Sequence, residues 1–136
     1  MSVGLLLITH NHIAEELLGT AMATLDGCPL PTRILAVTET RDCQRLLEQA
    51  RQLAREVDEG QGTLVLTDLF GATPGNIATG LLDRQTVVVS GLSLPMLIRV
   101  LNYAPLDLTA LALKAVSGGR DGIILSTLDD QEKPTC

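Results

Sequence analysis

The chain has 136 residues, which fits one domain and leaves little room for a second. It is 46% hydrophobic and 19% charged, with one Phe, one Tyr and no Trp, so a disordered chain is excluded and the core must be aliphatic. A formal net charge of −6 repels nucleic-acid phosphates and suits a basic protein partner. Val3–Thr9 is a short, nearly continuous apolar run, the pattern of a strand covered on both faces. Ile13, Leu17, Leu18, Ala21, Met22 and Leu25 then recur at helical spacing until Asp26-Gly27. Ile34–Val37 is a second apolar run, and Leu46, Leu47, Ala50, Leu53, Ala54 and Val57 mark a second helix that stops near Gly60. Gly62–Thr67 is a third strand, followed by the turn-rich stretch Asp68–Gly75 and a short helix through Ile77, Ala78, Leu81 and Leu82. Thr86–Ser90 is a fourth strand, and Leu94–Asn102 is helical. Leu108, Leu111, Ala112, Ala115 and Val116 mark a last helix ended by Gly118-Gly119. Gly122–Leu128 is expected to form a fifth strand, and Asp129–Cys136 a polar tail.

Alternating strands and helices predict an α/β domain, doubly wound, with a mainly parallel five-stranded sheet between two helical layers. The three cysteines, Cys28, Cys43 and Cys136, form no CxxC pair and read as reduced thiols of a cytoplasmic protein. Val3–Leu7 lacks the flanks of a signal peptide. The apolar stretch Val87–Leu101 is broken by Ser90, Gly91, Pro95 and Arg99, so direct membrane insertion is not expected.

Ligands of open α/β sheets bind beyond the carboxyl ends of the strands, near the point where strand order reverses. With the flavodoxin-like order 2-1-3-4-5, His10 after the first strand faces Asp68 after the third. A carboxylate beside a histidine fixes the ring tautomer and leaves the other nitrogen free to attack. Gly71, Ala72, Thr73 and Asn76 supply the complementary half. Thr73 suits an N-cap, Pro74 suits the first helical position, and the helix start offers N–H groups to an anion such as a phosphoryl group. Phe70, Leu92, Ser93 and Met96 are read as the rim of the site or its partner contact.

Each signal has a structural reading of its own. A lone histidine after a strand is more often structural, Asp68 suits a turn, and Thr73-Pro74 starts many helices. Their convergence on one sheet edge is what favours a phosphoryl-accepting histidine. His12 is read as a solvated residue at the next helix start. The His10-x-His12 spacing suggests a metal pair, but no acidic cluster accompanies these two histidines, so neither metal nor cofactor is expected.

The motifs Ile8-Thr9-His10, Leu66–Asn76 and Gly91–Leu97 together resemble the enzyme IIA domain of the mannose family of the bacterial sugar phosphotransferase system, in order and spacing along essentially the whole chain. The resemblance implies a phosphocarrier domain over residues 1–128 and a tail over 129–136. It implies that His10 is phosphorylated by the phosphocarrier protein HPr and passes the group to an enzyme IIB partner, in sugar uptake or as a regulatory relay. Asp68 would be the carboxylate paired with His10, and Thr73 the hydroxyl near the phosphoryl group. It further implies a homodimer in which the strand Gly122–Leu128 is exchanged and pairs antiparallel. Asn11 stands where the family often has glycine, and Asn tolerates left-handed backbone. Gly71-Ala72-Thr73 replaces the common Gly-Gly-Ser and keeps a hydroxyl. Two other readings of the same residues stay open: a receiver-like domain phosphorylated on Asp68, and a non-catalytic dimeric binding module.

Overall fold

The computed structural model describes residues 1–39 and 41–130. The chain runs β1 (Gly4–His10), α1 (Ile13–Leu25), β2 (Thr32–Val37), α2 (Cys43–Val57), β3 (Thr63–Thr67), α3 (Thr73–Thr79), β4 (Thr86–Ser90), α4 (Leu94–Asn102) and α5 (Leu108–Asp121), then a 3-10 turn at Leu128–Asp130. The four strands form one parallel sheet in the order β2-β1-β3-β4. The chain steps from β1 outward to β2 and returns to place β3 on the other side of β1. The reversal of strand order therefore falls between β1 and β3.

The unbroken apolar runs are explained by the layers. Leu5 and Leu7 of β1, with Leu64 and Leu66 of β3, belong to one core, which includes buried residues of α1, α4 and α5. Leu6 and Ile8, with Val65, belong to the second core, which includes buried residues of α2 and α3. Successive side chains of a strand point to opposite faces, so a strand covered on both sides must be apolar throughout. Each fully buried Leu or Ile contributes about 1.5–3 kcal/mol. No helix among the described residues is long and apolar enough to cross a membrane.

Three expectations are corrected. The short third helix starts one residue early, with Ala72 as N-cap and Thr73 already helical, and ends at Thr79 before Leu81 and Leu82. The last helix runs through Gly118-Gly119 to Asp121 instead of ending there. Packing overrides glycine's poor helix propensity at this point: a Cβ on Gly118 would lie 2.7 Å from Cβ of Arg99 on α4. The Arg99 guanidinium then reaches across to Asp121 Oδ2 at 2.7 Å and Ser117 Oγ at 3.3 Å.

The third correction concerns the sheet, which has four strands and not five. Residues 123–127 belong to neither strand nor helix, and Ile123, Ile124, Leu125 and Leu128 are 78–91% exposed. A strand needs a hydrogen-bonding neighbour, and this segment is not laid against any of the four. Of the expected tail, Asp129 and Asp130 complete the 3-10 turn, and 131–136 lie outside the described residues.

Filling the α4–α5 contact should be costly. Gly118→Val is expected to lower stability by about 1–3 kcal/mol through overpacking. Urea denaturation at fixed protein concentration checks this, and an unchanged midpoint would contradict the close approach.

Candidate functional site

His10 is the last residue of β1, and the next residue turns the chain sharply. Asn11 has φ 48°, left-handed as its residue type allows, and its N–H donates to Val37 O at 3.0 Å. Thr9, on the opposite face of β1 from His10, accepts from the N–H of Ala14 through Oγ1 at 3.1 Å, anchoring the first turn of α1 to the strand end. Thr9 was not singled out from the sequence, although a hydroxyl residue just before a helix start is a recognisable signal.

Asp68 follows the last residue of β3. The turn after β4 buttresses this position, because the N–H groups of Gly91 and Leu92 both donate to Thr67 O at 3.0 Å. The two strand ends thus bring His10 and Asp68 together across 58 residues of sequence. Asp68 Oδ2 accepts from the His10 backbone N–H at 3.2 Å and lies 2.8 Å from His10 Nδ1. An ionised carboxylate only accepts, so Nδ1 carries the proton and Nε2 is left with its lone pair. The side chains are 38% and 13% exposed respectively: the acid is sheltered while the ring reaches the surface. Asp68 Oδ1 and Thr67 Oγ1 are buried with no hydrogen-bond partner among the described residues.

The loop after Asp68 is shaped by two glycines. Gly71 has φ 85°, and a Cβ on Gly75 would lie 2.7 Å from Leu69 O. The first turn of α3 leaves the N–H groups of Thr73 and Gly75 without intrahelical acceptors. Half-buried Thr73 and exposed Asn76 line a small cleft of about 160 Å³ with Cys43 and Leu47. The Asn76 side-chain amide donates to Gly71 O at 3.4 Å, so it also braces the loop.

The expected rim divides. Phe70 is 77% exposed. Ser93 caps α4, its Oγ accepting from Met96 N–H at 3.3 Å, and Leu92 packs partly buried against the core. Met96 corrects the expected rim: it is 3% exposed and packed against α5. Leu69, and Ile13 of the first helix's apolar pattern, were not read as site residues and are exposed apolar side chains beside the same strand ends. His12 is solvated as expected, its Nδ1 lying 3.1 Å from Glu15 Oε1.

Residues 4–116 match the family described as PTS system fructose IIA component. The chain belongs to this enzyme IIA family, a component of the sugar phosphotransferase system. It is 28% identical over 127 residues to the PTS system mannose-specific EIIAB component of Escherichia coli strain K12, covering 90% of this chain and 39% of that protein. This chain thus spans about two-fifths of that relative's length. Among solved structures, the mannose/sorbose-specific IIA subunit of Enterococcus faecalis superimposes with a TM-score of 0.82 at 27% identity, covering 99% of this chain and 100% of that one. A PTS IIA protein associated with the fucose utilization operon of Streptococcus pneumoniae shares the fold, with a TM-score of 0.78 at 21% identity, covering 92% and 96%.

The turn after His10 is testable apart from function. Asn11→Val places a β-branched residue at positive φ and is expected to cost about 1–2 kcal/mol, whereas Asn11→Gly stays close to the parent. Thermal unfolding of both variants checks this, and equal stability of the two would contradict the left-handed turn.

Proposed function

We propose that this enzyme IIA protein is a phosphoryl carrier that accepts on His10 a phosphoryl group from phospho-HPr and passes it to an enzyme IIB component. The observation that carries the reading is the 2.8 Å contact between His10 Nδ1 and the sheltered carboxylate of Asp68. In the accepting step Nε2 attacks phosphorus, a new N–P bond forms, and the N–P bond of the donor phosphohistidine breaks. Asp68 holds the tautomer and offsets the positive charge that develops on the ring. Gly71 and Thr73 offer the phosphoryl group N–H donors and one hydroxyl, while Ala72, whose N–H donates to Leu69 O at 3.4 Å, and Asn76 steady their loop. Transfer onward reverses the bond changes toward the IIB nucleophile. The names of the mannose-specific EIIAB component and the mannose/sorbose-specific IIA subunit support this place in sugar uptake, with a regulatory relay as the alternative output.

Phe70, Leu69 and Ile13 form the apolar part of the partner contact, and the net negative charge favours a basic donor surface. The carrier works in the cytoplasm, with the phosphocarrier domain over residues 1–128. A receiver-like role for Asp68 is less well supported, because its carboxylate is sheltered and occupied by His10.

The reading includes a homodimer. The outer edge of β4 borders a groove of about 570 Å³ whose lining includes Leu82, Val88, Val89 and Val116, while the apolar segment after α5 stands exposed. Exchange of residues 122–128 between two copies would pair this segment antiparallel on β4 and bury both surfaces.

Incubation with enzyme I, HPr and phosphoenolpyruvate should give an acid-labile, base-stable label that His10→Ala loses; normal labelling of that variant would overturn the assignment. Asp68→Asn should slow transfer by roughly 10²-fold or more with an unchanged circular dichroism spectrum, and an unchanged rate would remove Asp68 from the mechanism. Light scattering should find a dimer that Ile124→Lys converts to monomer; a parent monomer would contradict the exchange.

A further inference from the structure

A second polar cavity, of about 370 Å³, opens at the amino-terminal ends of β3 and β4, the end of the sheet opposite His10. One wall is the second half of α2, which carries Arg51 and Arg55 four residues apart on one face. Like charges at this spacing repel and weaken a helix unless a carboxylate lies between them. Among the described residues neither arginine makes an ion pair; Arg55 Nη2 donates only to the neutral Gln52 side chain at 2.7 Å. Two nearby acids are committed elsewhere: Glu56 to Arg33 at 3.4 Å and Glu59 to the backbone N–H of Ser2 at 3.2 Å.

Asp58 and Asp83 line the same cavity, and each is held by backbone. Asp58 Oδ1 accepts from Gly60 and Gly62 N–H at 2.7 and 3.2 Å, and Asp83 Oδ1 accepts from Gln85 N–H at 2.7 Å. Each aspartate keeps its second oxygen as an acceptor. The cavity therefore combines two guanidinium groups not paired with acids and two carboxylates fixed in place, in a volume suited to a small molecule.

The geometry points to a binding site for a small hydroxylated anion, with its phosphate or carboxylate group on Arg51 and Arg55 and its hydroxyls donating to Asp58 and Asp83. Guanidinium groups recognise both anionic groups through paired N–H donors, so the anion class is common to the two sources. The site does not depend on His10 or on phosphoryl transfer.

The test is a titration of the ¹⁵N-labelled full chain, followed by amide chemical shifts, with glycerol 3-phosphate, glycerate and glycerol at millimolar concentration. At least one anion should move the amides of Gln85 and Thr86, while glycerol leaves them in place. Movement by glycerol 3-phosphate alone identifies a phosphate group, and movement by glycerate alone a carboxylate. A variant carrying Arg51→Gln and Arg55→Gln, whose remaining spectrum should superimpose on the parent, should bind about tenfold or more weakly. No movement with either anion would overturn the proposal, as would equal movement by glycerol or an unaltered response of the variant. Shifts confined to Thr73 and Asn76 would place the anion at the phosphoryl site and overturn it as well.

Discussion

The hydrogen bond between His10 Nδ1 and Asp68 Oδ2 depends on β1 and β3 lying side by side and in parallel, with Ile8 opposite Thr67. A slip of one residue would turn His10 to the other face of the sheet and carry it away from the acid. The register is held by burial on both faces: Leu5, Leu6, Leu7 and Ile8 have no solvent exposure, and neither do Leu64, Val65 and Leu66. The aliphatic core thus does more than stabilise the domain. It sets the alignment on which the ring's tautomer rests.

Around that bond, local features each solve one geometric problem. Asn11 reverses the chain so that α1 can begin beside the site, and Thr9 fastens that helix to the strand. The turn after β4 holds the end of β3 through Thr67 O, which steadies Asp68. Gly75 lets the carbonyl of Leu69 approach α3 closely. Together they leave the acid sheltered and the ring reachable, the division of labour that a histidine nucleophile requires.

Much of this was legible in the sequence because it rests on short-range signals. The four buried runs and the glycines of the loop follow from periodicity and residue chemistry, and the pairing of His10 with Asp68, distant in sequence, followed from the assumed strand order. What escaped depends on contacts between distant parts of the chain. Gly118-Gly119 looks like a helix stop, yet contact with Arg99 and Met96 of α4 makes it a helix interior. Met96 looks like a rim residue two positions from a loop, but the pitch of α4 turns it into the core. The apolar run 122–128 has strand composition, but composition cannot say what a strand pairs with. In this chain it pairs with none of the four strands, and its Ile and Leu side chains are exposed. The second helix was read from its apolar positions alone, and the cavity that Arg51 and Arg55 share with two aspartates came only from the fold.

The central claim is that Asp68 reserves one particular nitrogen of His10 for the phosphoryl group. Long-range ¹H–¹⁵N correlation of the imidazole, before and after phosphorylation by HPr, tests it directly. The account predicts a protonated Nδ1 in the free protein and nitrogen–phosphorus coupling at Nε2 after transfer. Phosphorus on Nδ1, or on any residue other than His10, would contradict it.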